Sequence, residues 1–240
     1  MLFRSDVILT GLRHPLLPDA VPNSLHVVPP RGMIITGSNM SGKTTFLRTV
    51  GVATVMAQTI NTCLCDDYVA PLFAVRSCIG RADEPESGKS YYLVEVDAVL
   101  ELVRSSQART PYLILFDELF RGTNSIERIA AGEAVLTSLL QPDSEGVAAP
   151  HLVLAATHDQ ELVSLLDGQY IPAHFADAVG PSGVTFDYQL RSGRSSTRNA
   201  IALLAQRGAP ADLVARATSR AESLDEAYRQ GTSPLLRDSR

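Results

Sequence analysis

Three short stretches of this sequence carry residue types and spacings that could do chemistry together. The first is Gly37-Ser38-Asn39-Met40-Ser41-Gly42-Lys43-Thr44-Thr45, with Gly, four residues and then Gly-Lys-Thr. That spacing suits a loop that cradles phosphate. Gly37 and Gly42 permit backbone angles and close approaches that a side chain would block. Successive N–H groups at the start of a helix favour an anion, and the helix dipole adds to this. Lys43 supplies a point charge for the β- and γ-phosphates of a nucleotide, and the Thr44 hydroxyl is a hard oxygen ligand for Mg²⁺.

The second stretch is Asp117-Glu118, which closes the apolar run Tyr112-Leu113-Ile114-Leu115-Phe116. An Asp at the end of a buried strand beside a phosphate loop can hold Mg²⁺ through water. Glu118 next to it can orient or deprotonate an attacking water. The alternative is an ordinary acidic turn. The third is His158, which follows another buried strand and could contact a γ-phosphate and sense its loss. The alternative there is an incidental loop histidine. Tyr91 and Tyr92 read as packing residues in preference to base stackers.

These groups need elements to position them. Met33-Ile34-Ile35-Thr36 feeds the loop as a strand, and Phe46, Leu47, Val50, Val52, Val55 and Met56 follow it at helical spacing. Continuous apolar runs at 112–116 and 151–156 suit central parallel strands covered on both faces. Helical patterns are expected near 90–103 and 126–140. Upstream, Leu25 to Val28 alternates like a short strand. Val7-Ile8-Leu9 is apolar, and Gly11-Leu12-Arg13-His14-Pro15 is expected to turn. Residues 73–76 read as a further strand and residues 81–89 as a surface loop. Residues 170–179 and 184–190 read as an antiparallel pair about the turn Pro181-Ser182-Gly183. Two helical patterns near 197–207 and 211–228 close the chain, and residues 231–240 are expected to form a flexible tail. Strands alternating with helices predict an α/β fold with a mainly parallel sheet, an antiparallel edge pair and C-terminal helices.

Composition agrees with a folded domain: 240 residues, 45% hydrophobic and 20% charged. No apolar run reaches the length of a membrane span, and Met1-Leu2-Phe3-Arg4 does not open a signal peptide, so a cytoplasmic protein without membrane contact is expected. Cys63, Cys65 and Cys78 are read as reduced structural thiols. A net charge of −5 offers no basic footprint for nucleic acid, although a local patch could still touch DNA.

Taken together the motifs resemble those of the MutS family of ATPases, in the ABC-type branch of P-loop NTPases. The resemblance runs from Gly11 to Leu224. Arg13-His14-Pro15 and Val21-Pro22-Asn23 look like the family's lead-in, and Asn39-Met40 is a specific feature of its phosphate loop. Ser87-Gly88-Lys89-Ser90 followed by Leu93-Val94-Glu95 looks like its signature loop. Asp117-Glu118-Leu119-Phe120-Arg121-Gly122-Thr123 resembles its Asp-Glu-x-x-Arg-Gly-Thr segment, and Ala156-Thr157-His158 its His loop. The resemblance implies one ATPase domain over 1–230 that binds ATP and Mg²⁺, with Thr44 and Asp117 at the metal. It implies Lys43, Glu118 and His158 in catalysis and Tyr188 near the adenine; a core-facing strand residue is the alternative for Tyr188. It further implies a homodimer, or a dimer with a related subunit. The helices near 197–228 would then serve dimerisation, and Ser90 would complete the partner's site in trans. Ser90 as a simple cap of its own helix is the other reading.

Ser38 and Ser41 stand where the best-known mismatch-repair members have Pro and Gly, which points to a divergent branch. The sequence ahead of Gly37 leaves no room for mismatch-reading, connector, lever and clamp domains, and the Phe-x-Glu mismatch wedge is missing. A fragment or a short relative is therefore expected, one that does not recognise mismatches alone. The competing readings are a transporter-type ABC ATPase, a small-molecule kinase and an ATP-binding assembly module without turnover. The first lacks its Leu-Ser-Gly-Gly-Gln signature here, and the second fits poorly with an Asp-Glu pair and a His loop.

Overall fold

In this computed structural model the described residues are 6–80, 91–105, 110–142, 145–180, 183–195 and 200–229. Strand period decides how the core is divided. In β6 (Tyr112–Asp117), Leu113 and Leu115 face one hydrophobic cluster, while Tyr112, Ile114 and Phe116 face another. The same alternation holds in β3 (Gly32–Thr36) and β7 (Leu152–Ala156), where Ile35 and Leu154 join the first cluster and Ile34 and Val153 the second. Side chains two apart share a face, so an unbroken apolar run serves two cores at once.

The central sheet has six strands in the order β5-β6-β7-β3-β8-β9, with β5 at Ala74–Cys78, β8 at Tyr170–Gly180 and β9 at Gly183–Ser192. β5 pairs parallel with β6, β6 with β7, and β3 with both β7 and β8. The expected antiparallel pair corresponds to β8 and β9, neighbours at one edge of this sheet. β8 lies parallel to β3, with Gly32 opposite Tyr170 and Thr36 opposite His174. Only β9 returns in the opposite sense, because two intervening residues cannot make a parallel crossover.

The helix α1 (Lys43–Ile60) places Phe46, Leu47 and Val50 in the first cluster. On the other face α2 (Tyr91–Ser105), α3 (Ser125–Leu140) and α4 (Gln160–Leu165) contribute Val99, Leu136 and Leu162 to the second. A separate three-stranded antiparallel sheet, which the sequence did not reveal, covers the first cluster. Its order is β2-β1-β4, with β1 at Val7–Leu12, β2 at Asn23–Val27 and β4 at Asp67–Val69. Val7, Leu9, Leu12, Leu25 and Val27 are its buried contribution. Gly11 and Leu12 lie in β1 and not in the expected turn. A register shift between Leu9 and Leu12, with Gly11 at φ 62°, lets the strand bend and keep its pairing.

The chain divides into two compact units, Met1–Ala176 with Asp187–Ser195, and Asp177–Phe186 with Ser196–Arg240. The first holds the strands described above up to residue 176 together with residues 187–192 of β9. In the second, α5 (Ala200–Gln206) and α6 (Ala211–Arg229) are separated by a turn with Gly208 at φ 83°. Pro210 opens α6 by accepting the Val214 N–H at 3.1 Å.

Candidate functional site

The first turn of α1 and the loop before it sit at the C-terminal end of β3, the usual place for a ligand in a parallel sheet. Gly37 has φ 149°, and a Cβ there would come within 2.7 Å of the Ser41 hydroxyl oxygen and 2.9 Å of the Phe175 carbonyl oxygen. Gly42, at φ 113°, is the N-cap of α1. Met40 adopts φ 72° without being glycine and is 83% exposed. The Lys43 Nζ is folded back over the loop, donating to the Gly37 carbonyl at 2.8 Å and the Ser38 carbonyl at 3.0 Å. Burial lowers the Lys43 pKa below the ordinary lysine value, against the opposing pull of the Glu118 and Asp117 carboxylates. The Ser41 hydroxyl is buried without a hydrogen-bond partner among the described residues. Loop N–H groups, a lysine and an orphaned hydroxyl in one curl of backbone fit a phosphate chain.

Thr44 and Asp117, distant in sequence, meet at the same place. The Thr44 hydroxyl donates to Asp117 Oδ2 at 2.6 Å. Among the described residues no group of three or more His, Cys, Asp or Glu could cage a metal ion. The hydroxyl–carboxylate pair instead suits Mg²⁺, which takes one or two protein oxygens and completes its octahedron with phosphates and waters.

Glu118 follows in a turn with unusual backbone. Glu118 has φ 56° and Phe120 φ 57°, each costing about 1–2 kcal/mol for an L-residue. The turn is held at several points. The Glu118 N–H donates to the Ala156 carbonyl at 2.9 Å, and the Phe120 N–H donates to Glu95 Oε1 at 2.7 Å. Leu119 and Phe120 are buried. The Glu118 carboxylate lies between two cations or potential cations. Oε2 is 3.3 Å from Arg121 Nε, and Oε1 is 3.5 Å from His158 Nδ1. Backbone strain concentrated on the residue that carries such a carboxylate is a common mark of a working site.

His158 itself is anchored by its neighbours. The Thr157 N–H donates to the Ile35 carbonyl at 2.9 Å, which ties this loop to the strand that feeds the phosphate loop. Asp159 accepts two bonds from Arg128 of α3, Nε to Oδ2 at 2.8 Å and Nη2 to Oδ1 at 2.7 Å. Burial by itself would raise the Asp159 carboxyl, but the Arg128 bonds, with help from His158 and Thr157, hold it below the usual range. The same fork raises the Arg128 pKa.

Tyr188 sits at φ 55° in β9, with 46% of its surface exposed, so it does not face the core. It lines two adjoining cavities. A polar one of about 360 Å³ is walled by Lys43, Thr44, Asp117, Glu118 and Arg121 as well as Tyr188. A more apolar one of about 440 Å³ is walled by His14, Pro18, Val21, Phe46 and Tyr188 among others. Asn23 pins the segment, its Nδ2 donating to the Tyr188 carbonyl at 3.0 Å and its Oδ1 accepting the Leu190 N–H at 2.6 Å.

Lys43, Thr44, Asp117, Glu118, His158 and Tyr188 are therefore brought together, with Ser38, Asn39, Met40, Ser41 and Thr45 in or beside the loop. Ser90 and residues 87–89 lie outside the described residues. Cys63 and Cys65 stand away from this group as free thiols with sulfurs 3.1 Å apart, and burial pushes Cys65 up to about 12. The sequence placed Asn23 in the lead-in motif and Glu95 beside the signature motif without giving either a contact, and it gave no role to Arg128 or Asp159. Each acts through a partner far along the chain, and no local pattern marks such a partnership.

The geometry agrees with the comparisons to known proteins. Residues 33–225 match the family description "MutS domain V". Over 223 residues, or 91% of this chain, the sequence is 30% identical to the DNA mismatch repair protein MutS of Thermus aquaticus and 32% identical to that of Streptococcus pneumoniae serotype 19F (strain G54). It is 31% identical to the DNA mismatch repair protein HexA of Streptococcus pneumoniae (strain ATCC BAA-255 / R6) over the same span. The chain covers 26% of the length of each of these relatives. With this phosphate-loop geometry and a family match over residues 33–225, this chain belongs to the MutS family.

Proposed function

We propose that this chain is an ATP-binding and ATP-hydrolysing module with an ABC-type P-loop NTPase fold. It would dimerise with nucleotide and couple hydrolysis to a DNA-associated, mismatch-repair-like role. The observation that carries the proposal is the position of Glu118. Its carboxylate is held by Arg121 and His158, one residue beyond the Asp117 that bonds Thr44 of the phosphate loop.

In this reading the loop N–H groups and Lys43 bind the phosphate chain, and Thr44 and Asp117 hold Mg²⁺. When bound at Thr44 and Asp117, Mg²⁺ would supply positive charge against the charge that builds up during transfer. Glu118 orients the attacking water and accepts its proton at a carboxylate oxygen. His158, beside that carboxylate, contacts the γ-phosphate. Tyr188 offers a ring face to the nucleobase at the mouth of the apolar cavity. The whole of 1–230 serves as the ATPase domain.

Dimerisation with a second copy or a related subunit is supported by Leu204, Leu213 and Leu224 on α5 and α6, which are 45%, 39% and 39% exposed. Ser90 acting in trans belongs to the same proposal. DNA association rests on the names of the relatives. No helix among the described residues is long and apolar enough to cross a membrane; a cytoplasmic location is part of the proposal.

The test is phosphate release from ATP by the purified chain, with and without Mg²⁺ and with and without DNA. The proposal expects Mg²⁺-dependent release that Glu118→Gln abolishes while ATP binding persists. ATP binding without turnover, alone and with DNA, would turn the reading to an assembly module.

A further inference from the structure

The strained turn that presents Glu118 is held from outside by a residue that touches neither cavity at the phosphate loop. Glu95 Oε1 accepts the Phe120 N–H at 2.7 Å, two residues beyond Glu118. Both ends of that three-residue turn have positive φ, 56° at Glu118 and 57° at Phe120, so the turn relaxes unless something fixes it. Glu95 comes from a firm base. Val99 and Leu102, four and seven residues further along α2, are buried at 1% and 5% exposure and lock that helix face into the core.

The second Glu95 oxygen, Oε2, is buried with no hydrogen-bond partner among the described residues. Burial correspondingly pushes the Glu95 carboxyl up, with the Phe120 N–H opposing it. A half-satisfied buried carboxylate is a poor device for stability, since an apolar side chain would pack there without the desolvation penalty. What the carboxylate does supply is a strong, directed acceptor at one backbone N–H. The walls of the two cavities beside Lys43 and His158 include Glu118 and Arg121 and do not include Glu95.

We propose that Glu95 is a positioning residue for Glu118, fixing the left-handed turn at 118–120 so that the Glu118 carboxylate is held toward the phosphate loop; this rests on the ATPase reading above. It also ties the turn to α2, the helix that follows the Ser87-Gly88-Lys89-Ser90 motif in sequence. The role acts on the chemical step and leaves nucleotide binding to Lys43 and the loop.

The experiment compares wild type, Glu95→Ala and Glu95→Gln for kcat, for ATP dissociation constant and for hydrogen exchange at the Phe120 amide. Expected for Glu95→Ala is a kcat lower by about tenfold to a hundredfold, the scale of an ångström-level misplacement. The ATP dissociation constant should stay within about twofold, and the Phe120 amide should exchange faster. Glu95→Gln keeps a carbonyl acceptor and should restore most of both effects. Glu95→Met, of similar length and without oxygen, replaces the alanine variant if that one does not fold. Wild-type kcat in a variant whose Phe120 amide has lost protection would overturn the proposal, and so would a parallel loss of ATP binding. A wild-type protein that does not hydrolyse ATP in this assay overturns the ATPase reading instead. The amide exchange then still decides whether Glu95 holds the turn.

Discussion

Asn23 holds Tyr188 across 165 residues of sequence, donating to its carbonyl at 3.0 Å while accepting the Leu190 N–H at 2.6 Å. A single amide side chain serves the two backbone groups on either side of Gln189, directly after the left-handed residue Tyr188. The small antiparallel sheet and the outermost strand of the large one are thereby joined at the cavity mouth.

If the Tyr188 ring stacks on the nucleobase, Tyr188→Leu weakens ATP binding by about tenfold, within the range for an aromatic–base stack. Asn23→Ala removes the brace and not the ring, so it should weaken binding by roughly threefold to tenfold, the worth of a hydrogen bond or two. Equilibrium titration with a fluorescent ATP analogue measures both. Equal affinity for Tyr188→Leu and wild type would leave Tyr188 as a strand residue with no part in base recognition.

Lys43, Asp117 and Glu118 should separate by phenotype. Lys43→Ala removes the point charge at the β- and γ-phosphates and should abolish turnover while the fold, followed by circular dichroism, stays intact. Glu118→Gln should bind Mg²⁺ and ATP and stall. Asp117→Asn should raise the Mg²⁺ concentration needed for half-maximal binding or turnover. Loss of ATP binding in Glu118→Gln, with hydrolysis retained in Asp117→Asn, would reverse the two acidic roles.

The Arg128–Asp159 fork predicts a pH-dependent share of stability. Asp159 has its pKa held below the ordinary 3.8, so its contribution is fully present above that value and is lost as pH falls through the lower folded value. Urea unfolding of wild type and Asp159→Asn should show a gap at pH 7 that shrinks below about pH 4. Arg128→Ala leaves the carboxylate buried without its guanidinium partner and should destabilise by about 3 kcal/mol at neutral pH. A gap between wild type and Asp159→Asn that is flat with pH would mean that the carboxylate charge contributes nothing.

The trans role of Ser90 is decided by mixing. Ser90→Ala and Lys43→Ala are each expected to be inactive, yet a heterodimer of the two contains one intact composite site. Mixed samples should regain some turnover above either parent. No gain in a sample shown by native mass spectrometry to contain heterodimers would leave Ser90 as a cap on its own helix. Turnover per subunit that stays constant on dilution, down to where the protein is monomeric, would remove the dimer requirement itself.

The sequence by itself determined the phosphate loop, because its groups are contiguous and the loop's geometry is local to a strand, a turn and a helix. It also determined central strands at 112–116 and 151–156, the second observed as Leu152–Ala156, since only a strand covered on both faces has a use for an unbroken apolar run. The placement of Asp117 and Glu118 followed from the end of one such run. Tertiary structure decided the rest. That β8 runs parallel to β3, that β1, β2 and β4 form a second sheet, and that Gly11 sits at a register shift within β1 all depend on pairings between distant segments. The supports of the site are of the same kind: Asn23 to Tyr188, Glu95 to Phe120 and Arg128 to Asp159. Periodicity records which face of an element is buried. It does not record which distant backbone group a polar side chain on that face will meet, because that is set by the register and direction of elements that only packing brings together.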